Sequence, residues 1–171
     1  LLDTVFLSAR GGTLAAQIKA RGSSLTAACA VSHSWESGFV QEETRAGSEC
    51  AESVLAAQAV RGEPLRLSKY CVYKDSRRFQ EPLSAVMELL EGAVLRPFPS
   101  WASRQEEFLG RFREETRCGI EGNDLLDTSL DYSAFCLLSS AGMDGVGNVS
   151  SKGLSGEGYE GHYFWDTEIY V

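Results

Sequence analysis

Two periods divide the chain. From Leu1 to about Asp75, short apolar runs are separated by Gly11-Gly12, Gly22-Ser-Ser24, Gly38, Gly47 and Gly62. That punctuation favours several short strands over a few long helices. The clearest strand puts Leu65, Leu67 and Lys69 on one parity and runs on into Lys69-Tyr-Cys-Val-Tyr73. It is bounded by Arg61-Gly-Glu-Pro64 and Lys74-Asp-Ser76. Thr13 to Ala20, Ser24 to Ser32 and Ser53 to Val60 read as further strands, although their alanine content would also suit helices.

After Arg78 the spacing becomes helical. Leu83, Val86, Met87 and Leu90 predict a first helix, with Pro82 in its opening turn and Gly92 at its end. Pro97 and Pro99 break the chain, and Ser100 is placed to cap a second helix with the stripe Trp101, Gln105, Phe108 and Phe112. That stripe has the spacing of packing residues rather than of a ligand platform. Asp124 to Ser140 predicts a third helix with Leu126, Leu130, Ala134, Leu137 and Leu138 on a broad apolar face, ended by Gly142-Met-Asp-Gly-Val-Gly147. A change from strands to helices near residues 76 to 82 implies two structural regions, not alternating β-α units.

Charge and cysteine usage narrow the function classes. The formal net charge is −8 over 171 residues, and no basic cluster exceeds Arg77-Arg78, which argues against a nucleic-acid partner. No apolar run approaches the roughly 18 residues of a membrane span, so no membrane partner is expected. Cys29, Cys50, Cys71, Cys118 and Cys136 form an odd set without C-x-x-C spacing. This fits reduced thiols in a cytoplasmic setting better than a disulfide framework or a zinc site. A start at Leu1 without Met, and a last residue inside an apolar-aromatic run, read as an internal fragment of a longer protein.

The candidate chemistry lies in the last twenty residues. Gly156, Gly158 and Gly161 spell a literal G-x-G-x-x-G, but the run before it is polar and glycine-broken, and the chain stops ten residues after Gly161. A dinucleotide fingerprint needs a buried strand before it, a helix after it and an acid about 20 positions on. The glycines instead let backbone approach a ligand. His162, Trp165, Asp166 and Glu168 supply a titratable donor, a flat apolar face and two acceptors, a set suited to a sugar. Lys152, Glu157 and Glu160 read as loop solvation, and His33 as structural or exposed. If the chain is helical from Tyr163, His162 and Asp166 share a face, while Asp166 and Glu168 diverge by about 200°. Those two acids are then a poor match to glycosidase carboxylates, which flank one bond about 5 to 9.5 Å apart.

The segment Gly153 to Val171 resembles the start of the catalytic domain of glycoside hydrolase family 65, the maltose, trehalose and kojibiose phosphorylases and related enzymes. Supporting segments follow in that family's order: Gln105-Glu-Glu-Phe-Leu-Gly-Arg-Phe112, Ile120-Glu-Gly122, Tyr132-Ser-Ala-Phe135, Leu137-Leu-Ser-Ser-Ala-Gly142 and Asn148-Val-Ser-Ser-Lys-Gly-Leu154. Weaker likeness extends back to Leu65-Arg-Leu-Ser-Lys69 and Asp75-Ser-Arg77. The chain departs from the pattern at Arg113, where the family usually has Trp, and at Ser150-Ser151, which replace small apolar residues.

The resemblance implies an α+β fragment: a β-sandwich remnant, then linker helices and the first helices of an (α/α)6 barrel. Residues 1–78 would be the last part of the sandwich, 79–122 a helical linker and 123–171 the truncated start of the catalytic barrel. It places Trp165 and Asp166 against the glucosyl unit in subsite −1, with His162 and Glu168 bordering the pocket. No catalytic residue falls within the chain, because the general acid, a Glu, is expected beyond Val171. The implied reaction is inverting phosphorolysis of an α-glucosyl disaccharide, with inorganic phosphate as co-substrate and neither metal nor organic cofactor. The partners are then the disaccharide and phosphate, and a homodimer is admitted for the full-length parent. A trehalose-type hydrolase of the same family and a non-catalytic carbohydrate-binding protein are the alternatives.

Overall fold

The computed structural model describes residues 2–36, 38–141, 144–147, 149–153, 159 and 162–165, leaving aside the Glu42 side chain. Six strands precede three helices, an α+β arrangement. The strands are β1 (Leu2–Arg10), β2 (Thr13–Ala20), β3 (Thr26–Trp35), β4 (Phe39–Ala46), β5 (Ala51–Ala57) and β6 (Leu67–Asp75). The helices are α1 (Pro82–Val94), α2 (Phe98–Thr116) and α3 (Asp124–Ser140). The contacts divide the chain into two compact units, residues 1–101 and 102–171.

In the first unit β1, β2, β3 and β6 form an antiparallel sheet in that order, and β4 pairs with β5 in a separate hairpin. Gly11 and Gly12, at φ 57° and 80°, close the β1–β2 hairpin. Both values lie in the left-handed region that a two-residue primed turn demands. All three alanine-bearing segments are strands, which resolves their ambiguity. For β2 and β3 the reason is tertiary. Pairing aligns Ala15 with Ala30 and Ala30 with Val72 on one face of the sheet, and α1 packs against β2, β3 and β6. Ala15, Ala28 and Ala30 are buried together with Val86 and Leu90 of the helix, and Tyr70, Val72, Leu83, Met87 and Val94 border the cluster. Small side chains on the sheet let a helix with branched side chains come close, and that burial outweighs alanine's modest helix preference.

Two predicted helix boundaries shift. The first helix runs through Gly92 to Val94, where the Leu95 N–H still reaches the Glu91 carbonyl. A glycine inside a helix costs about 1 kcal/mol, and with no neighbour near its missing Cβ the turn simply continues. Ser100 is not the cap of α2. The helix already starts at Phe98, and the Ser100 N–H donates to the Pro97 carbonyl at 3.0 Å. Proline is tolerated in a first turn because its missing N–H has no helical partner there, so Pro99 does not delay the start. Trp101 behaves as a packing residue: its Nε1–H donates to the Ala93 carbonyl at 3.2 Å, and the Arg96 guanidinium lies 4.7 Å from its ring centre.

In the second unit, α3 spans the predicted Asp124 to Ser140 and is capped by Asn123, whose side chain accepts the Leu126 N–H at 3.1 Å. Ion pairs join α2 to α3 (Arg113 to Asp131) and the segment after α2 to α3 (Arg117 to Asp127, 3.0 Å). The Asp127 carboxylate also accepts the Ile120 N–H at 2.9 Å. That bond first, and Arg117 second, hold its acid below the usual carboxylate range. No described residue of α2 or α3 is buried. The predicted apolar face of α3 is therefore present but uncovered, with Leu126, Leu130 and Leu137 all exposed.

None of the five cysteines is in a disulfide. No helix among the described residues is long and apolar enough to cross a membrane.

Candidate functional site

The glycine-rich segment is anchored where it leaves α3. Residues 150–153 make a tight turn: the Gly153 N–H donates to the Ser150 carbonyl at 3.0 Å, and the Ser150 hydroxyl donates to the Gly153 carbonyl at 2.7 Å. Gly153 sits at φ +70°, and a Cβ there would lie 3.1 Å from Ser140 Oγ at the end of α3. Both the backbone angle and the close approach call for glycine.

Further contacts connect this turn to the aromatic residues that follow. The Ser151 N–H reaches the His162 carbonyl at 3.5 Å, and the His162 N–H donates to the Tyr159 carbonyl at 2.9 Å. The Lys152 ammonium lies 5.8 Å from the Tyr159 ring centre, so this lysine has an aromatic neighbour beyond the solvating role read from the sequence. Tyr159 meets Phe164 edge to face at 5.2 Å and 75°.

His162 is exposed, and Trp165 is 74% exposed. Tyr163 and Phe164 are not helical, and Trp165 lies in a turn. A helix from Tyr163, the condition for His162 and Asp166 to share a face, is therefore absent over Tyr163 to Trp165. Asp166 and Glu168 lie outside the described residues, as do Glu157 and Glu160.

A cavity of about 470 Å³ lies elsewhere in this unit. Leu109, Phe112, Leu130 and Phe135 supply apolar walls, and the Arg113–Asp131 and Arg117–Asp127 pairs contribute charge. Neither His162 nor Trp165 lines it. His33, on β3, is half-buried opposite Lys69 on β6, and its Nδ1 is buried without a hydrogen-bond partner. Burial first, and the Lys69 charge second, push its pKa down. This fits the structural role read from the sequence. No cluster of three or more metal-ligating side chains occurs among the described residues.

A sheet followed by helices makes the described residues an α+β arrangement. Residues 131–171 match the central catalytic domain of glycosyl hydrolase family 65. The chain is 34% identical to an alpha,alpha-trehalose phosphorylase of Thermoanaerobacter brockii over 90% of its own length and 20% of the relative's. It is also 34% identical to the alpha,alpha-trehalose phosphorylase of Geobacillus stearothermophilus, over 99% of the chain and 21% of the relative. A solved structure from the human microbiome, provisionally named a kojibiose phosphorylase, superposes with a TM-score of 0.79. It covers 98% of this chain and 22% of that one, and at 16% identity it speaks for the fold alone. Over residues 131–171 the chain is similar to the central catalytic domain of glycosyl hydrolase family 65, and it spans about a fifth of the length of the curated relatives it matches.

Tyr159 was the residue that sequence reasoning passed over. Its signal was an aromatic side chain between glycines in Gly156-Glu-Gly-Tyr-Glu-Gly161.

Proposed function

We propose that this chain is part of an α-glucosyl disaccharide phosphorylase, converting disaccharide and inorganic phosphate into β-glucose 1-phosphate and a free acceptor sugar. The observation that carries the reading is the 34% identity to two trehalose phosphorylases over 90% and 99% of the chain. Under it, residues 1–78 are the end of a β-sandwich, 79–122 a helical linker and 123–171 the opening of an (α/α)6 catalytic barrel in a longer cytoplasmic protein. The exposed apolar side chains of α3 support the last assignment, since helices of a toroid bury their stripes against neighbouring helices.

Trp165 forms the flat wall of the glucosyl subsite, Asp166 accepts hydrogen bonds from the sugar hydroxyls, and His162 and Glu168 border the pocket. A protonated Glu beyond Val171 donates its proton to the glycosidic oxygen as the glycosidic bond breaks, and a phosphate oxygen attacks the anomeric carbon from the opposite face. Configuration is inverted, with phosphate in place of the water that an inverting hydrolase activates. The chemistry calls for no metal or organic cofactor. The bonds from Asp166 would tighten as the ring flattens toward the transition state, which is where they help the rate.

The test is an assay of the full-length gene product on maltose, trehalose and kojibiose, with and without phosphate. The reading expects glucose 1-phosphate to form only when phosphate is present. Glucose release at the same rate in its absence would indicate a hydrolase and overturn the assignment.

A further inference from the structure

Tyr159 is the one non-glycine residue at positive φ among the described residues, at φ 59°. A bulky side chain in the left-handed region carries a backbone cost that glycine does not. Such a conformation persists only where surrounding contacts determine it, and it points to function when it borders a site. Burial does not explain the side chain, because Tyr159 is 60% exposed.

The contacts of Tyr159 with described residues tie one part of the candidate site to another. Its carbonyl accepts the His162 N–H at 2.9 Å. Its ring lies between the Lys152 ammonium, 5.8 Å away on the turn fastened to α3, and the edge-to-face Phe164 ring at 5.2 Å, the residue just before Trp165. The Ser151-to-His162 backbone bond runs parallel to this side-chain link. Together they form a bridge from the Ser150–Gly153 turn to the residues that present the imidazole and the indole.

We propose that Tyr159 is a positioning residue for the sugar subsite: its strained backbone and bracketed ring set the orientation of His162 and Trp165 relative to α3. The inference rests on the reading of His162 and Trp165 as subsite residues. The ring contacts hold the geometry, and the phenolic oxygen has no part in it. A small misplacement of binding groups is enough to cost a large factor in catalysis.

The experiment uses the full-length gene product, measuring thermal midpoint, KM and kcat for the disaccharide that it turns over, and sugar-induced change in tryptophan emission. Tyr159→Gly relieves the backbone and removes the ring. Its midpoint should stay near wild type, while KM rises by about tenfold or more. Tyr159→Phe keeps the ring and should hold KM within about twofold. Lys152→Met, at an exposed position, should raise KM in the same direction by a smaller factor, and it serves if the glycine variant does not fold. An unchanged KM in both Tyr159→Gly and Lys152→Met overturns the proposal, as does a Tyr159→Phe variant impaired as badly as Tyr159→Gly. Trp165→Ala separates the two levels. If it raises KM and Tyr159→Gly does not, only the positioning role fails; if Trp165→Ala also leaves KM unchanged, the subsite reading fails with it.

Discussion

Replacing Val86 by alanine tests the interface that makes the alanine-rich segments strands. Val86 has no exposed surface and belongs to the cluster formed with Ala15, Ala28, Ala30 and Leu90. The substitution deletes two carbons, a loss of about 1.6 kcal/mol at about 0.8 per buried methylene. The hollow left between helix and sheet adds about 1 kcal/mol, because hydrogen-bonded strands cannot collapse into it. Alanine's better helix propensity returns at most about 0.7 kcal/mol. Burial therefore wins, with a net destabilisation of about 2 kcal/mol. In urea unfolding followed by circular dichroism, a slope of about 2 kcal/mol per molar places the midpoint about 1 M below wild type.

Glu88→Ala, on the exposed side of the same helix, should stay within about 0.5 kcal/mol. Ala30→Val overpacks the sheet side of the cluster and should also destabilise, by about 1 to 3 kcal/mol. Combined with Val86→Ala it nearly conserves volume, so the double variant should be more stable than the sum of the singles by about 1 kcal/mol. A Val86→Ala midpoint equal to that of Glu88→Ala, or strict additivity in the pair, would refute the packing argument.

Other consequences follow from single contacts. Asn123→Ala removes the cap of α3 and should cost about 1 kcal/mol, with faster amide exchange at Leu126, whose N–H it accepts; unchanged exchange there would mean the cap carries nothing. Gly153→Ala forces a side chain to φ +70° and within 3.1 Å of Ser140 Oγ, and should destabilise by about 1 to 2 kcal/mol from the backbone alone. Adding Ser140→Ala should recover only the steric part, so full recovery would count against the backbone argument. His33, lowered by burial and then by Lys69, resists protonation in the fold. Its contribution to stability is complete above the ordinary imidazole pKa of about 6.5 and is lost as pH falls through that value toward the lowered folded one. Lys69→Gln should move the His33 titration, followed by NMR, toward its ordinary value and shrink this slope; a titration that does not move would show that Lys69 exerts no such effect.

Much of the fold was legible from local pattern. Asp124 to Ser140 is legible to the residue because its apolar spacing is continuous. The Lys69-to-Tyr73 strand stood out because aromatic and branched residues crowd a short run between turns. Gly92 and Ser100 misled for a common reason. Each is a residue type that ends or starts helices on average, yet the backbone bonds at Glu91–Leu95 and Pro97–Ser100 form without its help. At the candidate site, the residue types were readable, whereas the geometry joining them was not. Lys152 reads from the sequence as a solvated charge, and only the fold brings it to the Tyr159 ring.

The sequence by itself determined that strands give way to helices near residues 76 to 82, the exclusion of a dinucleotide loop and the family resemblance, because these depend on period, neighbouring residues and motif order. Only the tertiary structure decided that the Ala15 and Ala30 segments are strands, since alanine's local preference is weak beside the burial gained under α1. It alone decided, too, that Gly153 must be glycine and that Tyr159 bridges the turn to Phe164. Those facts rest on distances between residues far enough apart in sequence that no local pattern encodes them.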